Sequence, residues 1–399
     1  MTSLFQSWRY ALRRKPSLPR TFPSIGALLI PAETLFEEET LPFYEPQQYY
    51  PVHIGDVYQS KYQVVGKLGY GAYSTVWLCR DLCKFPDATL REFKIYEHLS
   101  SLVSSHPGQS LIRGLCGTFE LHGPSGKHQC LLQPPMHMSL LDMTHIAREP
   151  FSLPLLKMTL KRLLTALDFL HTEAQVVHGD LKTDNLMLNA EDPTMLERFE
   201  EAEIKEPSPR KLIDSSRTIY KSRCLPTPRD DKYGLPILCD FGEARIGETQ
   251  ESGPFVQPHI YRAPEVIFEM PWGPPIDIWN LAGLVWDLLE GEHLFGRIFD
   301  DKGQHDPFQH IASMVNLIGQ PPTEFVRRSE TTEQCFDAKG DWIAEEHGRI
   351  TAASLEDIET RLVGQEKEVF LNFMRSMLKW LPEERSSANE LLDDPWLQD

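Results

Sequence analysis

The 399-residue chain lacks any apolar run long enough to cross a membrane; "IGALLIP" is the nearest approach, and Pro31 ends it. It also lacks a C-x-x-C pair. The seven cysteines, Cys79, Cys83, Cys116, Cys130, Cys224, Cys239 and Cys335, are an odd set that argues against a disulfide framework and for reduced thiols in a cytosolic-type compartment. Positive charge is scarce: 40 Lys and Arg face 58 Asp and Glu, a formal net charge of −18. That balance disfavours nucleic acid and anionic lipid and leaves two readings, attraction for basic partners or plain solubility. No internal repeat is visible. What is present, 41% hydrophobic and 25% charged residues over 399 positions, suits a globular protein of two or more packed units.

Acid is missing from the N-terminus until Glu33, whereas Arg9, Arg13, Arg14, Lys15 and Arg20 are present. This composition fits a mitochondrial presequence or a basic disordered tail. Residues 1–55 read as an extension, basic and then acidic at "EEET", with partial disorder expected. "YQVVGKLGYGAYSTVWLCR" alternates around glycines and predicts a strand–turn–strand hairpin. "LREFKIYEHLSSL" carries a helical apolar stripe, and "CGTFEL" and "KHQCLLQ" predict two further strands. From Leu153 onward helical periodicity dominates. Residues 190–235, charged and weakly periodic, read as a disordered or partly ordered insertion. A small β-rich lobe followed by a large α-rich lobe is the expected α+β architecture.

Three segments carry chemistry. In "GYGAYSTV", Gly69, Gly71 and Ser74 belong to a turn whose bare backbone N–H groups can meet phosphates, with Val76 placed to cover a base. A β-turn with no ligand is the plainer reading of that stretch alone. "VVHGDLKTDNLML" sets Asp180 five residues before Asn185, so that one group can take a nucleophile's proton while the other holds a divalent metal. Lys182 between them is placed for a transferred phosphoryl group. "PILCDFGEAR" supplies a second metal ligand, Asp240, with Gly242 permitting the turn that aims it.

With these motifs in this order, residues 57–399 resemble the eukaryotic protein kinases. The resemblance implies a bilobal fold, with a small lobe over 56–136 and a large lobe over 137–399 that includes the insertion, and transfer of the ATP γ-phosphate with Mg²⁺. It implies Asp180 as catalytic base, Lys182 as the serine/threonine-type lysine, and Asn185 and Asp240 as metal ligands. It implies structural roles for His178, for Glu265 of "YRAPE" paired with Arg385, and for Asp277 bracing the catalytic loop. By position, Gln133 is the gatekeeper, Pro134 can offer a carbonyl to adenine and Met136 an N–H. The loop "HGDLKTDN" also resembles that of aminoglycoside and choline kinases, but those lack the "RAPE" segment, the Asp277–Trp279 helix and the terminal arginine. "YYPVHIGDVYQSKYQVVGKLGYGAYSTVWLCRDL", Arg262 in "YRAPE" and "HIASMVNLIGQPPTEFVRRSE" resemble the SR-protein kinases, within the group that includes the cyclin-dependent and MAP kinases, in their fungal branch. That implies serine in basic, arginine/serine-rich splicing factors as substrate, and a monomer with no direct nucleic-acid or membrane partner. A cytoplasmic and nuclear location is expected, with mitochondrial import as the alternative from the basic start.

One expected element is missing. The family's third-strand lysine clamps the ATP phosphates and pairs with a helix glutamate, here Glu92. Its strand does not fit between Val76 and Glu92, where Lys84 is followed by Pro86. Three readings compete: Lys84 as a displaced substitute, a natural pseudokinase acting as scaffold, and a gene model or splice form lacking a segment. The intact Asp180, Lys182, Asn185 and Asp240 favour the third. As written, the polypeptide is expected to be weakly active or inactive. Gly179 replaces the arginine that normally binds a phosphorylated activation loop, so activity is expected to need no such phosphate.

Overall fold

The computed structural model describes residues 18–398 apart from 24, 73, 83–91, 124–125, 230–231, 252–255, 297, 300–303, 347, 349 and 351–353. Its strands are β1 (Val57–Tyr58), β2 (Tyr62–Tyr70), β3 (Thr75–Asp81), β4 (Gly117–Gly123), β5 (Gly126–Leu132), β6 (Met136–Ser139), β7 (Val176–Val177), β8 (Leu186–Asn189), β9 (Arg210–Leu212), β10 (Thr218–Tyr220), β11 (Pro236–Leu238) and β12 (Arg245–Ile246). Its longer helices are α1 (Glu92–Ser101), α2 (Leu140–Ala147), α3 (Leu153–Asp168), α4 (Thr194–Lys205), α5 (Pro275–Glu290), α6 (Pro307–Ile318) and α7 (Gly364–Met377). The chain divides into two units. One gathers the chain up to Leu90, Leu115–Met138 and Asn189–Gly234; the other gathers Arg91–Gly114, Ser139–Leu188 and Leu235–Asp399. The helix α1, expected in the small lobe, thus groups with the second unit.

In the first unit β1, β2 and β3 form one antiparallel sheet, while β4 and β5 pair only with each other. No described strand joins the two sheets; ring contacts do so instead, with Tyr62 and Phe119 stacked at 5.7 Å between centroids. β3 ends at Asp81 and α1 begins at Glu92. Lys84 and Pro86 lie outside the described residues, as does the side chain of Glu92.

The expectation for 190–235, a disordered or partly ordered insertion in the large lobe, changes here. The segment forms α4 and the β9–β10 hairpin and belongs to the first unit. Met195, Phe199 and Leu225 share a buried core with Val65 of β2 and Leu78 of β3. The charges that suggest a solvated coil are paired instead. Glu200 is buried and bonded to Arg80 of β3, with Arg20 of the extension 3.4 Å away. Glu203 takes Arg223 at 3.1 Å. The extension is likewise held in place over the described part of 18–55. Its acidic turn Glu37–Thr40 is gripped by Lys67, fully buried beside Glu38 and 3.6 Å from Glu37, and by Lys211, 2.8 Å from Glu39. Arg9, Arg13, Arg14 and Lys15 lie outside the described residues.

The second unit is built around α5, buried on nearly every face from Ile276 to Leu289, as befits a helix apolar all round. Its end is fixed by Gly291 in the left-handed region (φ +80°), where other residues are strained. The leucine stripe of α3, Leu156, Leu160, Leu163, Leu164 and Leu167, is buried, and Trp286 of α5 meets Phe370 of α7 at 6.3 Å. The short pairs β7–β12 and β8–β11 bring the loops that follow β7 and β11 to one end of this unit.

Candidate active site

The loop from β7 to β8 carries the first group of polar residues. Asp180 Oδ2 accepts from Lys182 Nζ and from Asn185 Nδ2, each at 2.8 Å, and Asn185 Nδ2 also reaches the Asp180 carbonyl at 2.8 Å. Both contacts to Asn185 use its amide nitrogen, so its side-chain oxygen is a separate acceptor. The backbone N–H of Cys239 donates to the Asn185 carbonyl at 2.8 Å, which brings Asp240 beside this loop. Asp240 has φ +64°, a conformation costly for a residue with a side chain, and its Oδ1 accepts from the Gly242 N–H at 3.1 Å. Burial pushes the neighbouring Cys239 thiol up to about 12, so it is no nucleophile. A carboxylate that can take a proton, a cation, and further carboxylate and amide oxygens are thus gathered; such hard oxygen donors suit a small divalent cation.

Beneath the loop lies Asp277 of α5, fully buried. Its Oδ1 accepts from the Gly179 N–H (2.9 Å), and its Oδ2 from the His178 N–H (2.8 Å) and His171 Nε2 (2.9 Å). Burial alone would raise this carboxyl. The hydrogen bonds from His171 and Gly179 and the nearness of His171 and His178 overcome it, and the group sits below the usual carboxylate range. His178 Nε2 lies 3.1 Å from the Cys239 carbonyl while its Nδ1 faces the Asp180 N–H at 3.3 Å. A carbonyl can only accept, so a proton on Nε2 and a lone pair on Nδ1 satisfy both contacts. The same ring packs on Phe241 (5.1 Å), which packs on Tyr96 of α1 (5.4 Å).

The segment "VQPHIYRAPE" forms the next layer. The Gln257 N–H donates to the Gly179 carbonyl at 2.9 Å, its side-chain oxygen accepts from the Ala263 N–H at 2.9 Å, and its amide nitrogen reaches Asn280 of α5. Gly179, with φ +72° and the Glu243 carbonyl 3.1 Å from where a Cβ would sit, has no comfortable room for a side chain. Arg262 donates to the carbonyls of Val256 and Gln257, and burial brings its guanidinium down to about 10. Glu265 and Arg385 form a bidentate pair at 2.6 and 2.7 Å with both side chains buried. Beside Arg262 a cavity of about 570 Å³ is lined by His259, Phe299 and His305 among others.

In the first unit the turn between β2 and β3 is closed by the Gly71 N–H, which donates to the Ser74 carbonyl at 2.8 Å. A Cβ on Gly69 or Gly71 would meet nothing within 4 Å, and neither has a left-handed φ. Ser74 and Val76 are exposed. Lys67, the buried cation of this sheet, is committed to Glu37 and Glu38. Pro134 is half-buried, and Met136, buried, opens β6. Glu92 is the first residue of α1.

The structure therefore gathers Asp180, Lys182, Asn185, Asp240, His178 and Asp277 in one unit, with Glu265 paired to Arg385 in the same unit. Tyr96, His171, Gln257 and Asn280 escaped the sequence reading. Tyr96 stands on the apolar stripe of α1 and could have been read as packed; nothing in the local sequence distinguishes Gln257.

A protein kinase domain matches residues 227–397. A serine/threonine protein kinase of Aspergillus fumigatus is 43% identical over 401 residues, covering 96% of each chain. A serine/threonine-protein kinase SRPK of Physarum polycephalum is 29% identical over 91% of this chain and 92% of its own. SRSF protein kinase 3 of Sus scrofa is 23% identical over 90% of each.

Proposed function

Because the chain belongs to the SRPK-like serine/threonine protein kinases, we propose that it transfers the ATP γ-phosphoryl group to serine in basic, arginine/serine-type proteins. Membership implies ATP, a divalent metal and protein substrates; Mg²⁺ and the arginine/serine preference are part of the proposal. The observation that carries it is the hydrogen-bonded set Asp180–Lys182–Asn185, joined to Asp240 through the Cys239 N–H.

In this reading the Asp180 carboxylate takes the proton of the substrate hydroxyl as the serine oxygen forms its bond to the γ-phosphorus and the bond to the β–γ bridging oxygen breaks, releasing ADP. Lys182, already on Asp180, offers its remaining donors to the moving phosphoryl oxygens. Asn185 and Asp240 would hold the metal, which when bound neutralises phosphate charge. Asp277, through the Gly179 and His178 N–H groups, fixes the loop so that Asp180 need not be ordered at each turnover. In the first unit, Gly69 and Gly71 would meet the nucleotide. Neither crowding nor backbone conformation demands glycine there, so the space a Cβ would fill is left for a ligand. His178, Glu265, Asp277 and Arg385 act as structural supports, and Pro134 and Met136 as the adenine contacts. A net charge of −18 favours basic substrates.

If the sequence between Val76 and Glu92, whose Lys84 lies outside the described residues, supplies no phosphate-clamping lysine, turnover by this polypeptide should fall orders of magnitude below that of a complete kinase. Radiolabelled ATP with an Arg/Ser peptide, the same peptide with Lys for Arg, and an acidic Ser peptide tests the reading. Slow transfer to the Arg/Ser peptide, lost by roughly 100-fold or more in Asp180→Asn, is expected. Transfer unaffected by Asp180→Asn, or indifferent to peptide charge, would overturn it. Phosphatase pretreatment should change nothing, since Gln257 already bonds the Gly179 carbonyl and holds the activation segment without a phosphate. Sequencing the transcript across Arg80–Arg91 tests whether a segment has been lost.

A further inference from the structure

A glycine turn that receives phosphate is useful only if its peptide groups face the ligand, and glycine supplies little stiffness of its own. Here an outside group holds the turn. Tyr49 of the extension, 4% exposed, places its hydroxyl 2.8 Å from the Ala72 carbonyl and 3.1 Å from the Gly71 carbonyl. One phenolic proton is thereby shared between two acceptors. The peptide from Gly71 to Ala72 is planar, so a carbonyl turned toward Tyr49 turns the Ala72 N–H the other way. Tyr49 is itself fixed. Its ring packs on Tyr44 at 5.2 Å, its N–H donates to the Pro46 carbonyl, and its carbonyl accepts from Arg217 Nη2, in the β9–β10 hairpin of the insertion, at 2.9 Å.

We propose that Tyr49 is a positioning residue for nucleotide: its hydroxyl holds the glycine turn so that the Ala72 N–H, opposite the Gly71 carbonyl it grips, faces the phosphate side, while the Gly71 N–H closes the turn on the Ser74 carbonyl, and Arg217 holds Tyr49. The extension and the insertion then share one task, pre-ordering a turn that would otherwise lose entropy on binding. The inference rests on reading Gly69–Val76 as the phosphate contact.

Its test uses the full chain and three probes, MgATP, MgADP and adenosine, with dissociation constants measured by calorimetry for wild type, Tyr49→Phe and Arg217→Ala. Tyr49→Phe keeps the ring and removes the hydroxyl. It should weaken ATP and ADP roughly five-fold, the size of about one net hydrogen bond, while leaving adenosine unchanged. Hydrogen exchange of the Gly71 amide should quicken by a similar factor. Arg217→Ala, which leaves the phenol in place, should show the same selective loss at smaller size, and it decides the matter if Tyr49→Phe fails to fold. Equal weakening of ATP and adenosine would mark a merely structural tyrosine and overturn the proposal, as would unchanged ATP affinity in Tyr49→Phe. Wild type that binds no ATP would instead overturn the functional reading beneath it.

Discussion

At the scale of single residues, the strongest constraints in the second unit are charges removed from water. Glu265 and Arg385 are both buried and bonded through two parallel contacts. Such a pair does little for stability compared with an apolar substitute, but removing one partner leaves the other charged and unsolvated. Arg385→Met should therefore cost about 3 kcal/mol or more of unfolding free energy, read from denaturant midpoints. Adding Glu265→Leu to it should recover part of the loss, and a double variant no better than the single one would refute this account. This pair was legible beforehand through the family resemblance of "YRAPE" and "PEERSS", which places a carboxylate and an arginine in a known order along the chain. Gln257 was not. Its importance comes from partners that only the folded loop assembles, Gly179, Arg262, Ala263, Ile276 and Asn280.

At the scale of elements, the insertion shows how charge can conceal a packed helix. α4 buries Met195 and Phe199, but the next positions on that stripe are Glu200 and Glu203, which read as solvated until Arg80, Arg223 and Ser208 are seen to satisfy them. Periodicity counts apolar residues and so misses a face that is half ion pairs. The close approach is set at Gly66 of β2, where a Cβ would stand 2.8 Å from the Phe199 ring. Gly66→Ala should thus destabilise the first unit by about 1–3 kcal/mol through overpacking. Phe199→Leu should cost less in that background than in wild type, since it relieves the clash. Additive losses in thermal or denaturant unfolding would show that the two do not touch. Among the described residues no strand joins the two sheets of this unit, and Lys84 and Pro86, on which the sequence expectation of a missing third strand turns, lie outside them.

At the scale of the whole molecule, acidification acts in two opposed ways. Lowering pH from neutrality reduces a net charge of −18 and with it the self-repulsion of the folded chain, a stabilising change that salt would mimic. Against it stands a histidine cluster in the second unit. His305 is held down to about 4 by burial and by His259 and Arg262 nearby, partly offset by Asp306. Buried His310 is lowered well below its ordinary 6.5 by burial, His305, Arg262 and His259. His305 Nε2 and His310 Nδ1 are 3.1 Å apart, and a single proton between two neutral rings satisfies that contact. Between pH 6.5 and about 4 the unfolded chain binds protons that the folded one refuses, so stability falls as pH drops through that window. The repulsion is spread over a surface and screened within a Debye length, whereas His310 is fully buried and His305 half-buried against it, so the loss should win. Melting temperature should decline from pH 6.5 to about 4.5, at high salt as well as at low. His305→Gln, which removes one titrating ring but keeps a polar group at the cavity edge, should flatten the slope. A decline that salt abolishes, or a slope unchanged in that variant, would assign the acid sensitivity to the carboxylates instead.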